Sequence, residues 1–483
     1  MSAAELARAG GVVGALGIAL LVLGTARSVR LAGLGGWVVG CALLAVWLAP
    51  SGHHRAYAAA AVVGAVVAVG LGWVFVRVPW LLAVAVLACA PARIPVTVGS
   101  TTANLLLPMY VVVAGAAVAL AWELFGEDRR TRELGRVAWP LALFVGWTGV
   151  TFLWTLSAGE KDGAVYLLFY VLPFALLAVS LSRLSWSLGW AGTIYAQLAL
   201  MAFVFAVIGG WQYLTRNVFW NPKVIVDNAY APNGWFYRVN SVFYDPSIYG
   251  RFLVVGILAS LVVVLFVRDA RAWVALGVAT ITWLGLVPSF SQSSFVALAA
   301  GIVVALVVLW RRRAVVPVLI AVAALGVVSF GVPQVRHRLL GKAGLSHATG
   351  GRSKLVSKGV RLALDHPLVG VGAGGFKKSY ANLAGLKGKE PKAAASHDTP
   401  ITVAAESGVP GLALLAWLVA AGLILTFRAN AVRDGTDRVR VVLGLALVAI
   451  VVHSLFYDAL LEDPLFWGAL ALAAVAWRAR EAT

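Results

Sequence analysis

The chain has 483 residues, of which 61% are hydrophobic and 12% charged, with a formal net charge of +19. Water-soluble domains carry roughly 25% charged residues, so a soluble fold is excluded. The excess of lysine and arginine then calls for a membrane location and an anionic neighbour, with no nucleic acid among the expected partners.

Apolar runs of about 17–25 residues, each long enough to cross a bilayer as a helix, recur along nearly the whole chain. They fall near 10–25, 32–50, 56–75, 79–92, 104–122, 138–156, 163–181, 188–214, 248–267, 271–287, 291–310, 315–331, 400–427, 439–458 and 464–477. The expected fold is an all-α polytopic membrane protein of about 12–15 transmembrane helices, with one large external loop carrying short amphipathic helices. In chain order it divides into N-terminal transmembrane helices (1–214), an external aromatic loop (215–247), more transmembrane helices (248–331), a large external loop (332–399) and C-terminal transmembrane helices (400–483). Arg8 and the apolar stretch after it resemble a signal peptide, but no A-x-A-like site follows, so this is read as the first span. Cys41 and Cys89 lie inside spans, as small buried hydrophobes rather than a disulfide pair.

Orientation follows from the arginines. Clusters at Arg129, Arg130, Arg132 and Arg136, at Arg268 and Arg271, at Arg311, Arg312 and Arg313, and at Arg428, Arg433, Arg438 and Arg440 alternate with linkers poor in Lys and Arg. The positive-inside rule puts those clusters and the C-terminus in the cytoplasm, and loops 215–247 and 332–399 outside. The localisation expected is the cytoplasmic membrane of a bacterium, with the chemistry on the external face.

Loop 215–247 is rich in Asn, Pro and aromatics, among them Trp235, Tyr237 and Tyr244. Such residues suit an interfacial aromatic belt and equally a platform for stacking sugar rings. Loop 332–399 is the one large hydrophilic stretch, and its lysines and arginines far outnumber Asp365, Glu390 and Asp398. Anionic partners follow: phospholipid headgroups, or a lipid-linked phosphate or diphosphate. Within it, residues 353–365 read as an amphipathic helix. Lys354, Lys358 and Arg361 share one face, and Val356, Val360, Ala363 and Leu364 share another, as in helices that lie in a membrane interface. The glycines at 370, 372, 374 and 375 fit G-x-G-x-x-G literally, but no βαβ unit surrounds them, so a tight turn close to the site is the reading.

The candidate chemistry gathers at a few positions. The four loop histidines match no common metal-ligand spacing, and no G-x-S-x-G nucleophile elbow occurs. His397 differs from the rest: it closes the large loop just before a span, with Asp398 next to it and Glu406 a turn or two on. An imidazole there can exchange protons with a substrate at the bilayer surface. Arginine is the other candidate, because its planar fork grips phosphate oxygens and keeps its charge. Arg238 lies just before Asp245-Pro246, Arg352 opens the amphipathic helix, and Arg251 sits inside a span, where its cost in lipid marks it as functional.

These residues carry a family resemblance. His397, Asp398, nine residues, Gly408, two residues and Gly411 reproduce the ligase motif of the O-antigen ligase and polymerase superfamily, with Asp398 where that family has Asn, Ser or Gln. Arg352 followed by Asp365-His366-Pro367-Leu368-Val369-Gly370-Val371-Gly372 resembles its arginine–helix–glycine run, and Arg238 with Asp245-Pro246 its other arginine region. The resemblance implies a GT-C-type, metal-independent glycosyltransferase without a cofactor. It would move a glycan from a polyprenyl-diphosphate carrier to a glycan, lipid or protein acceptor. His397 would act as base or orienting group for the acceptor hydroxyl, and Arg238 and Arg352 would hold the donor diphosphate. Arg251, Lys354, Lys358, Arg361, Asp245, Glu406, Trp235 and Tyr237 are the expected substrate-binding positions. The rivals are a polymerase joining repeat units, an anion or solute transporter, and a structural scaffold. The spans are nearly free of charge and the polar residues collect on one face, which favours interfacial chemistry over transport.

Overall fold

Backbone in lipid has no water to bond, so long Ala/Val/Leu/Gly runs satisfy their N–H and C=O groups as helix. The computed structural model describes residues 2–49, 54–98, 101–126, 133–156, 159–218, 237–310, 352–385, 396–428 and 432–481, and it is an all-α polytopic bundle. The first part holds α1 (Ala3–Leu23), α2 (Arg27–Leu48), α3 (His54–Arg77), α4 (Leu81–Cys89), α5 (Leu107–Phe125), α6 (Ala138–Thr151), α7 (Glu160–Tyr166), α8 (Leu172–Ser182) and α9 (Leu188–Thr215). A π-helical turn, Leu167–Val171, joins α7 to α8. After it come α10 (Pro246–Phe266), α11 (Ala270–Leu286) and α12 (Gln292–Trp310). Two short helices of the large loop follow, α13 (Arg352–Asp365) and α14 (Phe376–Ala384), and then α15 (Thr399–Phe427), α16 (Gly435–Ser454) and α17 (Pro464–Glu481).

Among the described residues, ten helices or helix pairs are long and apolar enough to cross a membrane. Of these, α10 and the α7–α8 unit are the most enclosed and α3 the least. Helices α12, α16 and α17 complete the bundle, and the expected span at 315–331 lies outside the described residues. The span expected at 79–92 is corrected: α4 is a helix of nine residues. Pro91 removes a donor the helix would need, and the β-branched run that follows pairs instead as an antiparallel hairpin, Ile94–Val98 against Thr101–Leu105, with Val96 opposite Ala103.

Polar contacts define two ends. At one, Arg8 reaches Thr155 and Glu160, Tyr170 donates to Asn104 O, Arg93 pairs with Glu462, and Thr399 meets Asp458. This is the site end. At the other, Arg30 and Arg183 share Glu133, Arg183 also holds Glu123, and Arg440 holds Asp437. This is the basic end, where α5, α8 and α15 finish and α2, α6, α9 and α16 begin.

Candidate active site

Helix α15 has 29 residues, about 43 Å at 1.5 Å per residue against a hydrocarbon core of about 30 Å. It does not run straight. Gly408 has φ 67° and ψ −174° inside it, and Pro410 follows, so the i→i−4 ladder breaks there. Three carbonyls at the break find donors elsewhere in the chain. Val371 N–H donates to Ala405 O at 2.9 Å, Gly372 N–H to Glu406 O at 2.9 Å, and Trp147 Nε1–H to Ser407 O at 2.8 Å. In return, Val409 N–H donates to Pro367 O at 2.7 Å. The glycine run and the helix break therefore form one unit, a left-handed turn laid into a broken helix and tied to it by the three backbone bonds. Gly370, at φ 67°, approaches so closely that a Cβ would lie 2.3 Å from Glu406 O, and one on Gly408 would lie 2.7 Å from Leu368 C. Glu406 is buried here and accepts the Phe376 N–H at 3.1 Å, which ties α14 to the same break.

Just before the helix, His397 has φ 65°, a left-handed conformation that costs a non-glycine residue about 1 kcal/mol or more. Its neighbours hold it. Ser396 Oγ donates to Asp398 O at 2.7 Å and accepts from Asp398 N–H at 3.1 Å, and it meets Thr402 Oγ1 at 2.9 Å. Asp398 is the N-cap of α15, its Oδ1 accepting from Ile401 N–H at 3.0 Å. Asp, Asn and Ser cap about equally well, so the change from the family's residue at this position keeps its local job. Burial pushes the Asp398 carboxyl above its ordinary range, opposed by the Ile401 N–H.

One turn further, the two oxygens of half-buried Asp458 accept from Thr399 Oγ1 at 2.6 Å and Thr402 Oγ1 at 2.7 Å. Asp458 belongs to the loop between α16 and α17, and that loop joins the His397 turn to the arginines around α10. Arg251 is 2% exposed; it pairs with Asp463 at 2.8 Å and donates to Ala459 O at 3.4 Å. Arg93 pairs with Glu462 at 3.1 Å. Asp245 caps α10, accepting Ser247 N–H at 2.6 Å. Arg238 donates from Nε to Ser289 O at 3.1 Å and from Nη2 to Ser247 Oγ at 3.3 Å. Its backbone is fixed from both sides: Val239 N–H donates to Pro288 O, and Gln212 Oε1 accepts from Asn240 and Ser241 N–H. Fully buried His453 completes the connection, with Nε2 3.1 Å from Ser247 O and 3.0 Å from Ser293 Oγ and its ring against Tyr457.

The amphipathic helix expected at 353–365 is α13. Gly359 packs against Ile401 and Ser396, so the helix lies across the start of α15 with Arg352 opening it two turns away. Leu362 joins Val371, Phe376 and Ala405 in a small core. A second apolar stripe faces outward, with Leu364 73% and Leu368 72% exposed, which suits a helix resting on a bilayer surface. Lys358 lies over the Tyr380 ring at 5.3 Å, and exposed Arg361 is 3.8 Å from Asp365. Tyr237 is buried beside Arg216. Trp235 and the side chains of Arg352 and Lys354 lie outside the described residues.

Residues 276–416 match the family model described as O-antigen ligase. Over this stretch the chain is similar to O-antigen ligases. The matched stretch begins in α11 and ends in α15, so it includes Arg352, the glycine run, His397, Gly408 and Gly411, and it leaves out Arg238, Arg251 and Asp458. No curated protein matches the chain. The match supports a coarse role in membrane glycan processing.

Sequence reasoning missed Arg93, His453 and Asp458 as parts of this site. For His453 a signal was present: an imidazole inside an apolar span is expensive and so marks function. Asp458 closes the span expected at 439–458, and Glu462 and Asp463 lie in the short linker after it, which is read above only for its lack of basic residues.

Proposed function

We propose that this protein transfers a glycan from a polyprenyl-diphosphate carrier to an acceptor hydroxyl, at the site end and on the external face of the cytoplasmic membrane. His397 takes the proton from the acceptor oxygen, which attacks the anomeric carbon. The bond from that carbon to the diphosphate breaks, and the electron pair leaves with the polyprenyl diphosphate. Arg238 and Arg352 hold the departing diphosphate and balance its growing charge, the kind of fixed electrostatic stabilisation that lowers such barriers. Lys358 and Arg361, on the same helix as Arg352, attract the anionic donor.

The observation that carries this reading is the connection of the His397 turn to Arg238. It runs from Thr399 and Thr402 to Asp458, then through the α16–α17 loop and His453 to Ser247. A proton acceptor and a guanidinium from distant parts of the chain are thereby held at one end of the bundle.

The test is glycan transfer in proteoliposomes with a polyprenyl-diphosphate-linked donor, comparing wild type with His397→Ala and Arg238→Ala. Product made by wild type and lost in both variants is expected; a single shifted band means ligase and a ladder means polymerase. Absence of transfer with every acceptor, together with solute flux that ignores both substitutions, would overturn the reading in favour of transport.

A further inference from the structure

A groove of about 380 Å³ lies between α4 and α9 on one side and α16 and α17 on the other, with α10 along its floor. Along α16 its lining runs from Gly435 to Ile450, roughly 22 Å at the helical rise, or most of a hydrocarbon core of about 30 Å. Helices α4 and α9 make few direct contacts with α16 and α17, so the groove is a gap between two sets of helices. Val86, Leu198, Val262, Leu443 and Leu472 are typical of its walls. At this depth there is no water to fill apolar space, and an unfilled gap forfeits dispersion contacts along both walls. Hydrocarbon is the filling such walls accept. The volume lies at the low end of the roughly 300–1,000 Å³ of small-molecule sites, enough for one chain rather than several.

The charges give that chain a direction. Among the described residues, two charged side chains line the groove, Arg271 and Arg438. Both are at the basic end, where Arg271 is in the first turn of α11 and Arg438 in the first turn of α16. Trp186 stands beside them, its Nε1–H donating to Thr436 Oγ1 at 3.1 Å, as interfacial tryptophans do. Local contacts keep both guanidiniums at the mouth: Arg271 pairs with Asp269 at 3.1 Å, and Arg438 Nε donates to Asp434 O at 3.3 Å. Towards the site end the lining is Leu87, Ile450, Pro464 and Leu465, with nothing to meet a phosphate.

We infer that this groove is a binding site for an anionic glycerophospholipid of the leaflet at the basic end. One acyl chain lies in the groove, and the headgroup phosphate is held by Arg271 and Arg438. The lipid bridges α4 and α9 to α16 and α17. It is distinct from any glycan donor, whose diphosphate would have to lie at the opposite end.

The full chain, purified and exchanged into mixed phosphatidylglycerol and phosphatidylcholine, is examined by native mass spectrometry for lipid retained after delipidation. Wild type is expected to keep one phosphatidylglycerol at least ten-fold in preference to phosphatidylcholine. Arg271→Ala with Arg438→Ala removes that preference. Gly468→Phe removes retention of both lipids; a Cβ there meets only Leu181 Cδ1 at 3.7 Å, so the added ring enters the groove without disturbing the backbone. Thermal melting of each variant checks that it is folded. Equal retention of the two lipids by wild type, a preference unchanged by the arginine substitutions, or tighter retention of added undecaprenyl phosphate would each overturn the proposal. No glycan enters the assay, so its outcome is independent of the transferase reading.

Discussion

The two ends of the bundle hold their charges in different ways. At the basic end, guanidiniums bridge carboxylates and the carbonyls that end intact helices: Glu133 lies between Arg30 and Arg183, Asp437 holds Arg440, and Arg30 and Arg440 also bond Gly24 O and Leu425 O. At the site end, much of the pairing uses backbone exposed where helices break or begin. Gly370, Val371 and Gly372 occupy the break in α15, Asp398 and Asp245 cap helices, and Arg238 and Arg251 bond carbonyls as well as side chains. Ion pairs between side chains lock helices together. Polar groups bonded to broken backbone set the direction of particular side chains, as a transferring site requires.

The contrast breaks first at His397. His397→Gly removes the imidazole and also relieves the left-handed strain, so glycan transfer should fall by about 10²–10⁴-fold, the usual worth of a general base, while the melting temperature holds or rises. Transfer kept and stability lost would make His397 a mere turn residue. At the basic end the opposite is expected. Glu133→Gln leaves two buried guanidiniums short of a countercharge and should cost about 3 kcal/mol in denaturant unfolding, with turnover per folded molecule unchanged.

Smaller effects sharpen the comparison. Asp398→Ala should cost about 1 kcal/mol as a lost cap, and Asp398→Asn a few tenths, read by thermal melting. A cap role and a catalytic role separate here, because transfer by the Asn variant should stay near wild type. The smallest effect is a pH dependence. Burial holds the Asp458 carboxyl above its ordinary range, with the Thr399 and Thr402 hydroxyls opposing. The folded chain thus binds this proton more tightly than the unfolded one. Its contribution to stability is full at low pH and falls as pH rises through the raised value. Asp458→Asn is neutral throughout and should flatten the fall in melting temperature that begins as pH rises above about 4, the ordinary Asp value. A steeper fall in the variant would contradict this.

Much of this was legible in the residues. Spans, the amphipathic helix at α13 and the spacing from His397 to Gly411 follow from periodicity and motif, since each is a local pattern. What spacing alone could not supply is why those glycines occur: Gly408 opens a gap in one helix and Gly370 fills it, a fit between segments 38 residues apart. The hairpin at Ile94–Leu105 falls mostly in the short linker between the spans expected at 79–92 and 104–122, too short to announce itself as two strands. Asp458 and His453 were overlooked because their partners, Thr399, Thr402 and Ser247, are remote in sequence.

The break in α15 also has a bearing on how the protein is made. Residues 352–385 leave the ribosome before 396–411, yet Ala405, Glu406 and Ser407 supply the carbonyls on which the glycine run rests. The loop must therefore wait, unfinished, until its downstream helix has been inserted. Insertion and docking then place different demands on one stretch of chain: a translocon reads 399–427 as a single greasy segment, while the finished site needs its first two turns drawn out of register at Gly408. A substitution that straightened α15 would leave membrane insertion intact and deny the loop its seat, so failure would arise at the last step of assembly.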